Sequence, residues 1–162
     1  MIFSSTALSL SFAIFFINFG EDSVLYMNED ETPEMLRNNE VGHLALVTAS
    51  QVGDVQLEAQ VHESRPPIQS EGTNLDEFSF AAGMVTSNSD LELDAESMID
   101  LPLESHAPNR LRYVIINGQE GYEYSRTYAG GPALETYLVQ IWPEPVSVPL
   151  VDLRSPWSQI WK

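Results

Sequence analysis

The sequence predicts an all-β fold: a single-domain antiparallel β-sandwich or partly open barrel with at most one short helix. Three observations lead there. Apolar residues recur at period two in many short runs. Gly and Pro punctuate those runs as turn residues do. Apolar residues also make up 43% of the 162 positions, enough for a buried core and too many for a disordered chain. The length suits one domain, residues 1–162, with 143–162 expected as an extended Pro/Trp tail that Trp157 and Trp161 dock.

Taken in order, Ala7 to Phe19 (ALSLSFAIFFINF) reads as one buried strand. It also resembles a signal-peptide core. Against that, no Lys or Arg precedes Arg37, and no small-x-small cleavage site follows. The run is too short to span a bilayer. Val24 to Met27 is a short strand before the acidic stretch Asn28 to Glu34, and Glu31 to Glu40 is the one segment with helical character. Gly42 to Ser50 is a strand of small residues, and Gly53 supplies a turn. In Val55 to His62, Val55, Leu57, Ala59 and Val61 alternate with Gln56, Glu58, Gln60 and His62, as in a sheet wet on one side. His62 is then a solvated residue, and Pro66-Pro67 ends the run.

Ile68 to Asn74 reads as a loop, Phe78 and Phe80 mark a strand, and Met84 to Thr86 a shorter one. Leu91 and Leu93 alternate with acids, and Ile99 to Pro102 leads into a loop that ends at Pro108-Asn109. Arg110 to Asn117 (RLRYVIIN) and Ala133 to Trp142 (ALETYLVQIW) are the strongest strands of the second half. Between them, Gly118 to Gly131 reads as a mobile loop rich in Gly and Tyr. Trp142, Tyr137, Tyr113, Phe78 and Phe80 are the candidate core aromatics.

Charge narrows the function. The chain has 24 acidic residues against 7 basic ones, net −17. Such an excess repels nucleic acid and anionic membrane and attracts basic proteins or divalent cations. Simple solubility is the competing explanation. The chain has no cysteine, which excludes disulfides and thiolate chemistry and favours the cytosol. His43, His62 and His106 form no short metal motif, and no nucleophile elbow or phosphate loop occurs. The chain is therefore expected not to be an enzyme and to need no cofactor or metal.

From Pro66 to Asn109 there is no Lys or Arg. Asp76 and Glu77 fall in this window, and Asp90, Glu92, Asp94 and Glu96 sit at strict i, i+2 spacing. On a strand that spacing sets carboxylates about 6.5–7 Å apart on one face. The interval is comparable to successive phosphates and suits a basic groove such as a nuclease's. Two readings compete: calcium binding, which lacks the loop Gly and the closing Glu, and a solvated face that blocks edge pairing. Tyr122, Tyr124 and Tyr128 of the Gly-rich loop are candidate anchors for a protein contact.

Three stretches carry a resemblance. They are His43 to Pro67 (HLALVTASQVGDVQLEAQVHESRPP), then Glu77 to Phe80 with Ile99 to Leu103 (IDLPL), and Arg110 to Pro143, which opens RLRYVII and closes ETYLVQIWP. Their order, from about Val41 to Pro143, resembles a family of small, mostly uncharacterised bacterial β proteins whose shared motifs carry no catalytic residues. The layout is more distantly similar to the competence protein J family, inhibitors of a DNA-entry nuclease. The Gly/Tyr-rich segment and the Pro/Trp tail depart from it. The resemblance implies an inhibitor or immunity-type role with a basic protein partner, a nuclease or toxin. The alternative is a β-sandwich ligand-binding or accessory module that uses the Gly118 to Gly131 segment. Asp90, Glu92, Asp94, Glu96, Asp76, Glu77, Tyr122, Tyr124 and Tyr128 are the expected contact residues in the first case.

Overall fold

The computed structural model describes residues 2–10, 14–18, 24–26, 36–40, 43–49, 53–68, 73–81, 89–94, 97–101, 103–104, 106–127 and 132–149. Among the described residues the fold is all-β, with a single short helix and no closed barrel. In chain order the strands are β1 (Ile2–Leu10), β2 (Ile14–Asn18), β3 (Val24–Tyr26), β4 (Leu36–Glu40), β5 (His43–Val47), β6 (Gly53–Val61), β7 (Thr73–Ala81), β8 (Ser89–Asp94), β9 (Ser97–Leu101) and β10 (Pro108–Ile116). Helix α1 (Gly118–Thr127) and strand β11 (Pro132–Pro143) follow. One sheet has six strands in the order β1-β6-β11-β10-β7-β3, and the other has five in the order β4-β5-β2-β8-β9.

The sheets are antiparallel except at one ladder. β11 runs parallel to β6, with Tyr137 opposite Leu57 and Ile141 opposite Val61. The expectation of a wholly antiparallel arrangement is corrected there. The strands at the sheet centre are buried on both faces: Asn109 to Ile115 on β10 and Tyr137 to Trp142 on β11 are all buried. Their sequences show it as near-continuous apolar runs.

Alternation sorts the two faces. On the inner face lie Val55, Leu57 and Ala59 of β6, Leu111, Tyr113 and Ile115 of β10, Tyr137, Val139 and Ile141 of β11, and Phe78 and Phe80 of β7. This face meets the end of β5. The Tyr113 hydroxyl donates to the Val47 carbonyl at 3.0 Å, and the Ala49 amide donates to the Tyr137 hydroxyl at 2.9 Å. The two tyrosine rings stack with centroids 6.2 Å apart. Burial pushes the Tyr113 phenol up from its usual 10.0, with Tyr137 next in effect, so it stays a neutral donor.

Four expectations change. The apolar run Ala7 to Phe19 is two strands in different sheets, since β1 pairs with β6 and β2 pairs with β5 and β8. The segment with helical character closes as strand β4, paired to β5 from Leu36↔Leu46 to Glu40↔His43. β7 begins at Thr73, inside the segment read as a loop. The Gly-rich segment after β10 is helix α1. Asn117, at φ 59°, makes the turn out of β10. Gln119 donates to Glu123 at 2.7 Å one turn on, and Glu120 favours the helix N-terminus. Met84 to Thr86, the acidic stretch Asn28 to Glu34, Trp157 and Trp161 lie outside the described residues.

Candidate partner-binding surface and the arginine network

The expected contact residues do not form one cluster. Asp90, Glu92 and Asp94 lie on β8 in the five-stranded sheet, with Asp90 opposite Asn18 on one side and Asp100 on the other. Between Glu92 and Asp94 the ladder to β9 slips by one residue, so the strict alternation read from sequence is interrupted there. Glu96 and Tyr128 lie outside the described residues. Asp76 is half-buried on β7 of the other sheet. Tyr122 and Tyr124 are half-buried on α1, not on a mobile loop, and α1 packs on β11. The loop that the ligand-module alternative needed is thus largely helix.

Glu77 is placed differently from its neighbours. It is buried, and its carboxylate lies on the sheet's outer face against Arg110 and Arg112. Arg110 and Arg112 share that face because they alternate with Leu111 and Tyr113 on β10. Arg112 stands opposite Glu77 on one side and Gln140 on the other. Arg112 Nε donates to Glu77 Oε1 at 2.8 Å. Its Nη1 donates to the carbonyls of Pro66 and Pro67 at 3.1 and 3.2 Å and to Gln140 Oε1 at 3.3 Å. The two prolines, which lack N–H groups, offer only carbonyls to the sheet. The Arg112 guanidinium also lies 4.9 Å from the Trp142 ring centroid, with Arg65 at 5.8 Å.

Arg110 reaches a second strap. Its Nη2 donates to the Val148 carbonyl and lies 3.2 Å from Glu144 Oε2. Arg65 holds the same Glu144 by two points, Nε to Oε1 at 3.0 Å and Nη2 to Oε2 at 2.7 Å. Residues 62–68 and 144–149 are therefore tied to each other and to the sheet through three arginines.

A polar relay leaves this centre sideways. Gln140 Nε2 donates to Gln60 Oε1 at 3.0 Å, and Gln60 Nε2 donates to Glu58 Oε1 at 2.7 Å. His62 Nε2 lies 2.9 Å from the same Gln60 Oε1. An amide oxygen only accepts, so Nε2 carries the proton. His62 is half-buried in this relay rather than solvated, and its amide continues the parallel ladder by donating to Ile141 O at 2.8 Å.

These contacts set a pH dependence. Burial above all, with the charge of Arg112 as a lesser cause, lowers His62 from 6.5. The hydrogen bonds from Arg65 lower Glu144 from 4.5 against an opposing effect of burial. Both groups bind protons less readily folded than unfolded. Each therefore contributes stability above its unfolded pKa that is lost as pH falls through its folded value. Stability from urea unfolding is expected to fall in two stages, one below pH 6.5 and one below pH 4.5. His62→Gln should flatten the first and Arg65→Gln the second. A profile that neither substitution alters would refute the assignment.

Among the described residues, no group of three His, Cys, Asp or Glu is placed to hold a metal ion, and no helix is long and apolar enough to cross a membrane. Sequence reasoning found β10 but gave its two arginines no role. The available signal was two of the seven basic residues at i, i+2 within the chain's strongest strand.

No family model and no curated protein matches the chain. Among solved structures it is distantly similar to ComJ from Bacillus subtilis, described as an inhibitor of the DNA degrading activity of NucA. The match has 11% identity and a TM-score of 0.48, and it covers 89% of this chain and 98% of that one. At that identity and TM-score no residue role passes from one protein to the other.

Proposed function

We propose that the chain is an acidic protein-binding domain that neutralises a basic partner, a nuclease or toxin, in the cytosol. The observation that supports it is where the cations are. Arg65, Arg110 and Arg112 are three of the seven basic residues, and all three are held against the chain's own Glu77 and Glu144. This network is itself net positive. The rest of the chain is therefore more acidic than the overall −17. A field of that sign steers basic partners into encounter and rejects nucleic acid.

Asp90, Glu92, Asp94 and Glu96 are the carboxylates proposed to meet the partner's Arg and Lys, with Asp100 opposite Asp90 in the ladder. Tyr122, Tyr124 or Tyr128 supplies the aromatic anchor. Glu77 belongs to the interior and is left out of the contact.

The test begins with capture from host lysate at low salt, followed by a salt gradient. A single basic protein eluting late is the expected result. Glu92→Lys with Asp94→Lys should then weaken its binding by more than about tenfold, equivalent to about 1.4 kcal/mol, with an unchanged thermal melt. Unaltered affinity, or a partner insensitive to salt, would remove the acidic strand from the interface.

A further inference from the structure

Among the described residues, the arginine network has one positive charge more than its acids match. Arg110 and Arg112 have side chains at 0% exposure, and one carboxylate equally buried, Glu77, faces both. Glu144 is 12% exposed and is already held by two points from Arg65. Three guanidiniums thus meet two carboxylates. Glu58, the acid that ends the relay, is reached only through the amides of Gln140 and Gln60. Burial pushes the Arg110 guanidinium below its usual range, and this outweighs the pull of Glu144 and Glu77.

The hydrogen-bond donors show the same excess. Among the described residues, Arg110 Nε, Arg110 Nη1 and Arg112 Nη2 are buried and find no hydrogen-bond acceptor. In a guanidinium, Nε and Nη2 share one edge. Arg112 Nε is on Glu77 Oε1 at 2.8 Å, so the unused Nη2 lies toward the same carboxylate. Arg110 Nη1 is 3.8 Å from Glu77 Oε2, near enough for attraction and too far for a hydrogen bond. Two unused cationic donors therefore border one carboxylate, beneath straps 62–68 and 144–149.

Unmade hydrogen bonds to charged groups are costly in a protein interior. A water would satisfy the donors and leave the charge. An anion satisfies both. A single-atom anion suits donors from two different guanidiniums, because it accepts from any direction. A phosphate or carboxylate brings further oxygens that would need donors of their own.

We propose that Arg110 and Arg112 hold one small monovalent anion of the halide class beside Glu77, inside the outer face of the six-stranded sheet. The site does not depend on the partner-binding reading.

Bromide is the probe. A crystal soaked in sodium bromide and measured at the bromine absorption edge should show one buried anomalous peak within hydrogen-bond distance of both guanidiniums. In solution, the chloride-35 NMR line should broaden with protein and sharpen as bromide competes. Arg112→Gln should abolish that broadening. Glu77→Gln, which removes the opposing charge and keeps the shape, should tighten binding several-fold; the bromide soak and the chloride titration of the unaltered protein keep the test intact if either variant does not fold. A water without anomalous signal between the arginines, or bromide only on the surface, would overturn the proposal. So would a chloride line that bromide does not alter.

Discussion

Arg112→Met is expected to destabilise the fold by about 3–5 kcal/mol, because it leaves the Glu77 carboxylate buried without its closest cation. The loss is wider than one ion pair. Arg112 also bonds the Pro66 and Pro67 carbonyls and Gln140, and its guanidinium lies over Trp142. The effect should therefore include release of the 62–68 strap. Urea unfolding checks the magnitude, and hydrogen exchange at residues 62–68 checks the release. Methionine keeps much of the stem's apolar volume, so packing is not the main change. The second substitution distinguishes a buried charge from a generally useful pair. Adding Glu77→Gln to Arg112→Met should recover a large part of the deficit, because the stranded carboxylate is gone. If the double variant is as unstable as the sum of the two single ones, Glu77 and Arg112 are not coupled.

Gly121→Ala is expected to destabilise the protein although it places a better helix former in α1. The favourable part is about 1 kcal/mol. Against it, a Cβ at Gly121 would run into Glu135 Oε2 and stand 2.5 Å from its Cδ. Glu135 is buried, and its other oxygen accepts from the Tyr137 hydroxyl at 2.8 Å. Moving that carboxylate disturbs the bond that places Tyr137, whose hydroxyl also accepts from Ala49. Overpacking of this kind costs about 1–3 kcal/mol, so the net sign is destabilising. Glu135→Ala in the Gly121→Ala background removes the two closest atoms and should restore part of the loss. A thermal melt of Gly121→Ala at or above the parent would refute the close approach.

These two sites mark where the sequence was legible and where it was not. β6, β10 and β11 were legible because alternation or a long apolar run is a local property, and burial at Val55, Leu57 and Tyr137 follows it. The core aromatics were legible for the same reason. α1 was hidden because its glycines read as loop residues; Gly121 is there to admit a carboxylate from β11, a contact that no local pattern reports. The division of Ala7 to Phe19 was hidden because an apolar run shows no break when its two halves are both strands. The role of the arginines was hidden for a different reason. Their partners, Glu77, the Pro66 and Pro67 carbonyls, Glu144 and Val148, come from three separate segments. The acids were the visible chemistry, and Glu77 was read with them. Its neighbours at i+1 and i+3, Phe78 and Phe80, are core residues, which puts Glu77 on the outer face, and nothing in the spacing separates a buried acid on that face from an exposed one.

The parallel ladder between β6 and β11 has a consequence for how the protein is made. Its partners are far apart in sequence, as Gln56 and Thr136 are, and β11 lies between β6 and β10. During synthesis β6 emerges well before β11, the strand that joins it to β10, and β10 precedes β11 by only the length of α1 and its connections. Until β11 arrives, β6 and β10 each present a raw edge, and pairing across such a span is slow. Raw edges of that kind recruit other chains. A nascent chain that is strongly anionic repels its neighbours throughout this interval. The same charge that would attract a basic partner to the finished domain thus also protects the unfinished sheet from its own copies.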